Sequence, residues 1–179
     1  MRRGVLLAGL LSLCAFGLLA PAVEAQSRPG TLVAITNDGP AAVPGTMLSI
    51  ARNTGASSVI ATLAAPGVSL SFSDDEGKLY GSFTIRDPAP ARSQLVTLDP
   101  VTGAVPKNIG FIVDAGTGFR RIVAGMGFAA DGTLYGVEAL TRSLVTIGTA
   151  TAEAPSVGSG LGVVVLNYGA LSPTGCFTC

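Results

Sequence analysis

The chain has 179 residues, with 11 Lys and Arg residues against 11 Asp and Glu residues, and it contains neither His nor Trp. The basic residues are scattered, so we expect no binding surface for nucleic acid. Without His a Ser-His catalytic pair is excluded, and no G-x-S-x-G nucleophile motif is present. The 24 Gly residues and the lack of long helical patterns predict short strands joined by turns.

The N-terminus has the pattern of an export signal. Arg2 and Arg3 precede a charge-free apolar run from Gly4 to Ala20, and Val23-Glu24-Ala25 has small residues where a signal peptidase cleaves. We predict a signal peptide at residues 1–25 and one mature domain at residues 26–179, exported to the periplasm or the extracellular space, with no other contact to the membrane. An uncleaved anchor is the alternative, although the apolar run is short against the ~20 residues of a membrane span.

The predicted strands fall into three units along the chain, each rich in apolar residues that alternate with polar ones or are β-branched. The first unit has three strands, at Thr31 to Thr36, Met47 to Ile50 and Ser57 to Leu63. The second unit has four, at Val68 to Ser73, Lys78 to Ile85, Ser93 to Leu98 and near Val105 to Val113. The third unit has four: one at Ile122 to Phe128, one that begins at Leu134, one at Ser143 to Ile147 and one near Val157. A last strand follows at Val163 to Ser172.

One hairpin motif occurs in two of the units. Phe128 to Gly136 contains Asp131-Gly132 between apolar residues, and Phe72 to Gly81 has the same pattern with one extra turn residue. An Asp-Gly pair in this setting predicts a two-residue type I′ turn, with positive φ at both central residues. A partial copy of the motif lies at Ala170 to Gly175.

The strand sequences also recur at a nearly constant interval. Met47 to Ile50 matches Leu95 to Leu98 at an offset of 95 − 47 = 48 residues, and Leu144 to Ile147 follows at an offset of 144 − 95 = 49 residues. Units of ~50 residues with four short strands have the size of β-propeller blades. An ordinary β-sandwich is the alternative, but it gives no reason for the sequence to repeat. We therefore predict an all-β fold, a partial or open β-propeller of three four-stranded antiparallel blades.

The repeats resemble those of exported bacterial β-propeller proteins of the quinoprotein-like and NHL-like group. The resemblance lies in Asp-Gly-Thr-Leu-Tyr-Gly at 131–136 and in Leu-Val-Thr-Leu-Asp-Pro-Val-Thr-Gly at 95–103, and it covers most of the chain from Leu32 to Gly175. It implies the fold, but this fold carries many unrelated activities. Enzymes of the group use a cofactor or metal site near the central axis, and no residue here matches such a motif.

Three blades are fewer than the ~4–8 that close a propeller. We assign the blades to residues 30–63 together with 163–172, to 68–113 and to 121–158, with the C-terminal strand completing the first blade. Three interpretations follow: a truncated gene product, an open arc, or two chains that form a six-bladed ring. In an open arc the end blades would expose apolar faces.

The C-terminus carries Cys176 and Cys179 as a C-x-x-C motif. A redox pair opens a helix that lowers the pKa of one thiol, and no helix can follow Cys179. A zinc site needs about four ligands, and the mature chain has no His and no other Cys. We predict a local disulfide between Cys176 and Cys179, or a tail without a role.

The other candidate residues are better explained by structure than by chemistry. The acidic turn Asp74-Asp75-Glu76-Gly77 lacks the spaced ligands of a calcium loop, so we predict a solvated turn. One tyrosine recurs in each unit, at Tyr80, Tyr135 and Tyr168, and we predict that these side chains pack between blades rather than stack on a ligand. No catalytic, cofactor-binding or metal-binding residue is predicted.

The sequence favours an exported, non-catalytic binding or scaffold module for a protein or small-molecule ligand. The alternative is a fragment or divergent relative of a propeller enzyme of the quinoprotein or lactonase type, and a truncated product without independent function is a third interpretation. A catalytic propeller should direct several Asp, Glu, Asn or Arg side chains to one place on the axis, and this feature distinguishes the two classes.

Overall fold

The computed structural model describes residues 31–37, 45–86, 90–162, 170–171 and 177–178. These residues form β-strands and turns, so the all-β prediction is confirmed. The predicted signal peptide, Tyr168, Cys176 and Cys179 lie outside the described residues. In the part of the chain that is described, no helix is long and apolar enough to cross a membrane.

The strands form three antiparallel sheets in which each strand pairs with its neighbour in sequence. Blade 1 has three strands: β1 (Thr31–Ile35), β2 (Thr46–Ala51) and β3 (Ser57–Thr62). Blade 2 has four: β4 (Gly67–Ser73), β5 (Lys78–Ile85), β6 (Arg92–Leu98) and β7 (Lys107–Phe111). Blade 3 has four: β8 (Val123–Phe128), β9 (Leu134–Glu138), β10 (Ser143–Ile147) and β11 (Ser156–Val157). A two-stranded sheet of β12 (Ala170–Leu171) and β13 (Phe177–Thr178) follows.

The three blades share one register, as the sequence repeat predicts. In blade 1 Leu48 lies opposite Ala34, in blade 2 Val96 lies opposite Gly81, and in blade 3 the corresponding pair is Val145 and Gly136. Because side chains alternate between the two faces of a strand, equal register places equivalent residues on equivalent faces. Leu48, Val96 and Val145 therefore occupy the same position in their sheets.

In the described part of the chain, the hydrophobic core consists of two clusters, one between each pair of neighbouring blades. Leu79 and Phe83 of β5 face blade 1 and pack in a cluster with Met47. Tyr80 of the same strand faces blade 3 and packs in the other cluster with Val123. Both faces of β5 are therefore buried, which is the packing expected of a central blade whose two neighbours stack on it.

The first strands of blades 2 and 3 lie side by side and are linked by serine hydroxyls. The backbone N–H of Met126 in β8 donates to Ser69 Oγ at 3.0 Å, and that of Phe128 donates to Ser71 Oγ at 3.1 Å. Both serines belong to β4. Strand β8 is an edge of its own sheet, so these hydroxyls satisfy amides that have no partner strand.

The turn between β8 and β9 differs from the predicted type I′ turn. Of its residues only Gly132 has a positive φ, of 79°, whereas Asp131 does not. The side chain of Asp131 accepts the N–H of Thr133 at 2.9 Å, and Gly132 N–H donates to the carbonyl of Ala129 at 3.0 Å. The longer loop allows Asp131 to cap the turn from an ordinary backbone conformation, so the prediction of positive φ at both residues was wrong.

The predicted C-terminal strand takes a different place from the one expected. Ala170–Leu171 pairs with Phe177–Thr178 and not with β1, so these residues do not complete blade 1 of their own chain. Their Cα atoms come within 8 Å of β8 instead. Residues 163–169 and 172, the rest of the predicted strand, lie outside the described residues. Strand β12 thus follows β4 and β8 at the position that the first strand of a further blade would occupy.

Candidate binding site at the mouth of the axis

The strand ends of all three blades meet at one end of the axis. Because β4 and β5 are antiparallel, the end of β5 lies beside the start of β4, with Gly67 opposite Phe83. The start of β8 and the segment after β1 lie at the same end. A cavity of ≈ 330 Å³ opens there, and it is lined by Asn37, Val68, Thr84, Arg86, Ala91, Ile122, Val123 and Ala124. We call this cavity the axial mouth.

Backbone hydrogen bonds hold the loops of the axial mouth together. Gly67 N–H donates to the carbonyl of Thr36 at 3.2 Å, which fixes the segment that carries Asn37. Thr84 N–H donates to the carbonyl of Pro66 at 2.9 Å, so the end of β5 is fixed as well. A preformed site loses less entropy on binding than one that must be ordered by its ligand.

The third wall of the axial mouth depends on a buried serine. Ser93 Oγ accepts the N–H of Val123 at 2.9 Å, and Ser93 N–H donates to the carbonyl of Arg121 at 2.9 Å. These bonds join the start of β6 to the segment that leads into β8. They keep the apolar side chains of Ile122 and Val123 at the mouth.

The polar side chains of the axial mouth are available to a ligand. In the described part of the chain, the side chains of Arg86 and Asn37 form no hydrogen bond or ion pair. Among the described residues that line the cavity, the charged one is Arg86. A guanidinium with free donors binds carboxylate or phosphate oxygens, and an amide can both donate and accept. The apolar walls suit the hydrocarbon part of such a ligand.

A second cleft at the same end of the blades is larger, and most of its charged side chains already bond to neighbouring loops. It measures ≈ 390 Å³ and includes Asp114, Arg121, Glu138 and Ser156 in its lining. Arg121 forms an ion pair with Asp114 and donates to Ser156 Oγ at 2.9 Å. The N–H and hydroxyl of Thr117 and the charge of Arg121 lower the pKa of Asp114. This network joins the β7–β8 loop to blade 3.

Glu138 in this second cleft is a structural residue as well. It is buried, and its carboxylate accepts the N–H groups of Ile122 and Leu140 at 3.4 and 3.2 Å and both the N–H and the hydroxyl of Thr141. These donors occupy both carboxylate oxygens. The cleft therefore holds loops together, and it offers a ligand few free polar groups.

The opposite end of the axis is acidic. A smaller cavity of ≈ 280 Å³ lies between the β4–β5 and β8–β9 turns and is lined by Asp74 and Asp75, among others. Lys78 and Tyr80 donate to Glu76 Oε2 at 2.7 and 2.8 Å and lower the pKa of its carboxyl. Among the described residues, no group of three His, Cys, Asp or Glu side chains is arranged to hold a metal ion.

Of the two described tyrosines, Tyr80 packs between blades as predicted and Tyr135 does not. Tyr80 is buried between blades 2 and 3, and its ring meets that of Phe128 edge to face, with ring centroids 5.4 Å apart. Burial, and then the hydrogen bond to the carboxylate of Glu76, raises the pKa of Tyr80 to about 12. Tyr135 is half-buried on the far face of blade 3. The disulfide between Cys176 and Cys179 stays a prediction.

Sequence reasoning missed Asn37 and Arg86 as site residues. Each directly follows a predicted strand of a different unit, and neither belongs to a known motif. The available signal was their similar place in the repeat, since each directly follows the strand that carries Leu32 or Leu79. The sequence alone does not show that these strand ends meet.

Comparison with solved structures supports the fold. A luciferin-regenerating enzyme is 16% identical, with 75% of this chain matching 42% of that one at a TM-score of 0.51. A calcium-binding regucalcin of Agrobacterium tumefaciens is 17% identical, with 82% of this chain matching 51% of that one at a TM-score of 0.48. A gluconolactonase of Xanthomonas campestris is 13% identical, with 72% of this chain matching 38% of that one at a TM-score of 0.46.

The luciferin-regenerating enzyme has the highest TM-score of the three, and at 16% identity its likeness shows the fold alone. The chain spans about half or less of the length of these proteins. No family profile matches the sequence, and no curated protein matches it. With the three repeated sheets, the comparison identifies an all-β, open propeller arrangement.

Proposed function

We propose that the protein is an exported, non-catalytic binding module that holds a small anionic ligand with an apolar part at the axial mouth. The observation that carries this proposal is the pair of free polar side chains, Arg86 and Asn37, beside an apolar wall. The guanidinium would bind the carboxylate or phosphate group, and Val68 and Ile122 would contact the hydrocarbon. The acidic residues at the other end of the axis would favour approach of an anion from the Arg86 end.

The enzyme alternative requires a convergence of acid and base groups at the axis. Among the described residues that line the axial mouth, the ionisable or amide side chains are Arg86 and Asn37, and no carboxylate joins them. These groups can bind and orient a ligand, but they form no acid–base pair. We therefore favour binding over a lactonase-like or quinoprotein-like activity.

The test uses octanoate as the anionic probe and octanol as its neutral counterpart, both followed by isothermal titration calorimetry. A charge-assisted hydrogen bond contributes about 1.5–3 kcal/mol, so Arg86→Ala should weaken octanoate binding at least about tenfold and leave octanol unchanged. Arg52→Ala is the matched control, because Arg52 is an exposed arginine in the β2–β3 turn, at the other end of the strands.

Two results would contradict the proposal. If octanoate binds the wild type no better than octanol, or binds Arg86→Ala as tightly as the wild type, the axial mouth is not an anion site. Hydrolysis of gluconolactone above the buffer rate, lost in Arg86→Ala, would favour the enzyme alternative instead.

Export is a separate part of the proposal and has its own test. The basic residues Arg2 and Arg3, the apolar run and the small residues before Gln26 support a cleaved signal peptide. N-terminal sequencing of the protein recovered from the periplasm or medium should begin at Gln26. Recovery of the uncleaved chain from the membrane fraction would show an anchor instead.

A further inference from the structure

Blade 1 has an uncovered apolar face on the side away from blade 2. Val59 and Leu32 on this face are 67% and 53% exposed. Leu48 and Ile50, which lie on the same face by register, are half-buried. No charged residue is among these four. We call this surface the outer face of blade 1.

The repeat shows what kind of surface fits the outer face. Val96 and Leu98 of blade 2 occupy the register positions of Leu48 and Ile50, and they are only 1% and 3% exposed. What buries them is the face of the preceding blade, which includes Met47. The complement of the outer face is therefore the corresponding face of another blade of the same repeat.

Among the described residues, no strand pairs with the outer edge of β1 in blade 1. Its sheet begins with β1, whereas blades 2 and 3 each have one more strand before the equivalent position, β4 and β8. The N–H and C=O groups along the free edge of β1 can pair with an added strand. In the described residues no strand of the same chain fills this place.

Strand β12 is the element that can fill the place beside β1. It lies beside β8, where the first strand of a following blade belongs, and among the described residues its partner is β13. It can exchange this partner for β1, whose outer edge has no neighbouring strand among the described residues.

We propose that two copies of this chain close into a six-bladed ring. Blade 3 and β12 of each copy pack on the outer face of blade 1 of the other copy. Strand β12 supplies the missing first strand of that blade and pairs with β1, which takes the place of β13. The two contacts are equivalent by a twofold axis, so the assembly closes at a dimer. Six blades lie within the ~4–8 that a closed propeller needs.

The area of the two seams is sufficient for a stable dimer. Four strands ~4.8 Å apart and about five residues long, at ~3.3 Å per residue, give each blade face about 320 Å². Two seams with two faces each would bury about 1,300 Å², which is within the ~1,200–2,000 Å² of specific interfaces. The face is also uncharged, as the core of an interface usually is.

The ring would complete the axial mouth as well. In one chain, the described loops that line the mouth come from the three blades on one side of the axis. The second copy would place its own loops on the opposite side. The dimer proposal does not depend on anion binding, because it rests on the outer face and the edge of blade 1.

The test is the mass of the purified protein in solution, measured by size-exclusion chromatography with light scattering from 1 to 100 µM. We expect twice the chain mass for the wild type. Val59→Glu and Leu32→Glu should each give the single-chain mass, because a buried carboxylate at the seam would have no partner. Val101→Glu is the matched control, since Val101 is 60% exposed in the β6–β7 turn. The protein with this substitution should stay dimeric.

Each other outcome overturns the proposal. A wild type that remains a single chain at 100 µM excludes the ring, and a ladder of larger species would indicate open head-to-tail association instead. A dimer that survives both seam substitutions has its interface elsewhere. Hydrogen exchange then tests the strand exchange: amides of β1 should gain protection in the dimer, and unchanged exchange there would refute the pairing with β12.

Discussion

The serine hydroxyls between blades 2 and 3 give the sharpest test of how the blades are held together. Ser69 and Ser71 accept the amides of Met126 and Phe128, and both bonds are partly buried. In Ser69→Ala/Ser71→Ala these two amides lose their acceptors. A net hydrogen bond contributes about 1 kcal/mol, so we expect the double variant to lose about 2 kcal/mol of unfolding free energy. For a chain of this size, that loss lowers Tm by about 4–8 °C.

Two assays measure this effect. Urea unfolding followed by circular dichroism gives the free energy, and amide hydrogen exchange should show the N–H groups of Met126 and Phe128 exchanging several-fold faster. Ser58→Ala is the matched control, because Ser58 is an exposed strand serine, and it should change stability by less than about 0.5 kcal/mol. Wild-type stability together with wild-type exchange at Met126 and Phe128 would refute the linking role of Ser69 and Ser71.

Three further predictions concern packing and ionisation. Gly136→Ala would place a Cβ 2.7 Å from Ile147 Cδ1, so overpacking should cost about 1–3 kcal/mol in urea unfolding, and a neutral result would mean that this side chain can move aside. Leu98→Ala should cost about 2–5 kcal/mol, against less than about 0.5 kcal/mol for the exposed Val101→Ala, and equal effects would place Leu98 outside the core. The raised pKa of Tyr80 favours the folded state below pH ~10, and this contribution, at most about 3 kcal/mol, should be lost between pH ~10 and 12. Tyr80→Phe should remove that part of the alkaline loss, and an unchanged pH profile would contradict the assignment.

The strand pattern could be predicted from the sequence because it depends on local alternation. Lys78–Ile85 and Ser143–Ile147 begin and end at the predicted residues, since apolar and β-branched side chains fill both and turn residues flank them. The shared register followed from the equal spacing of Met47, Leu95 and Leu144. A repeat of sequence implies a repeat of environment, and the two clusters between the blades have that symmetry.

The candidate site could not be predicted in the same way. Arg86 and Asn37 are separated by about 50 residues, and each follows its strand without any motif. Alternation also suggests that the polar positions Ser69 and Ser71 of β4 face solvent, whereas the structure uses them as acceptors for a neighbouring blade. The prediction of a type I′ turn at Asp131 was wrong for a related reason, because the Asp131 side chain competes with the backbone for the turn hydrogen bond.

The sequence by itself determined the strands, their repeat and their alternating faces, since these depend on residue type and spacing along the chain. The tertiary structure decided which faces are covered, which strand ends converge and where β12 lies, because these depend on contacts between residues far apart in sequence. Leu98 and Ile50 illustrate the difference. They hold the same position in the repeat, but among the described blades only that of Leu98 has a preceding blade to bury it.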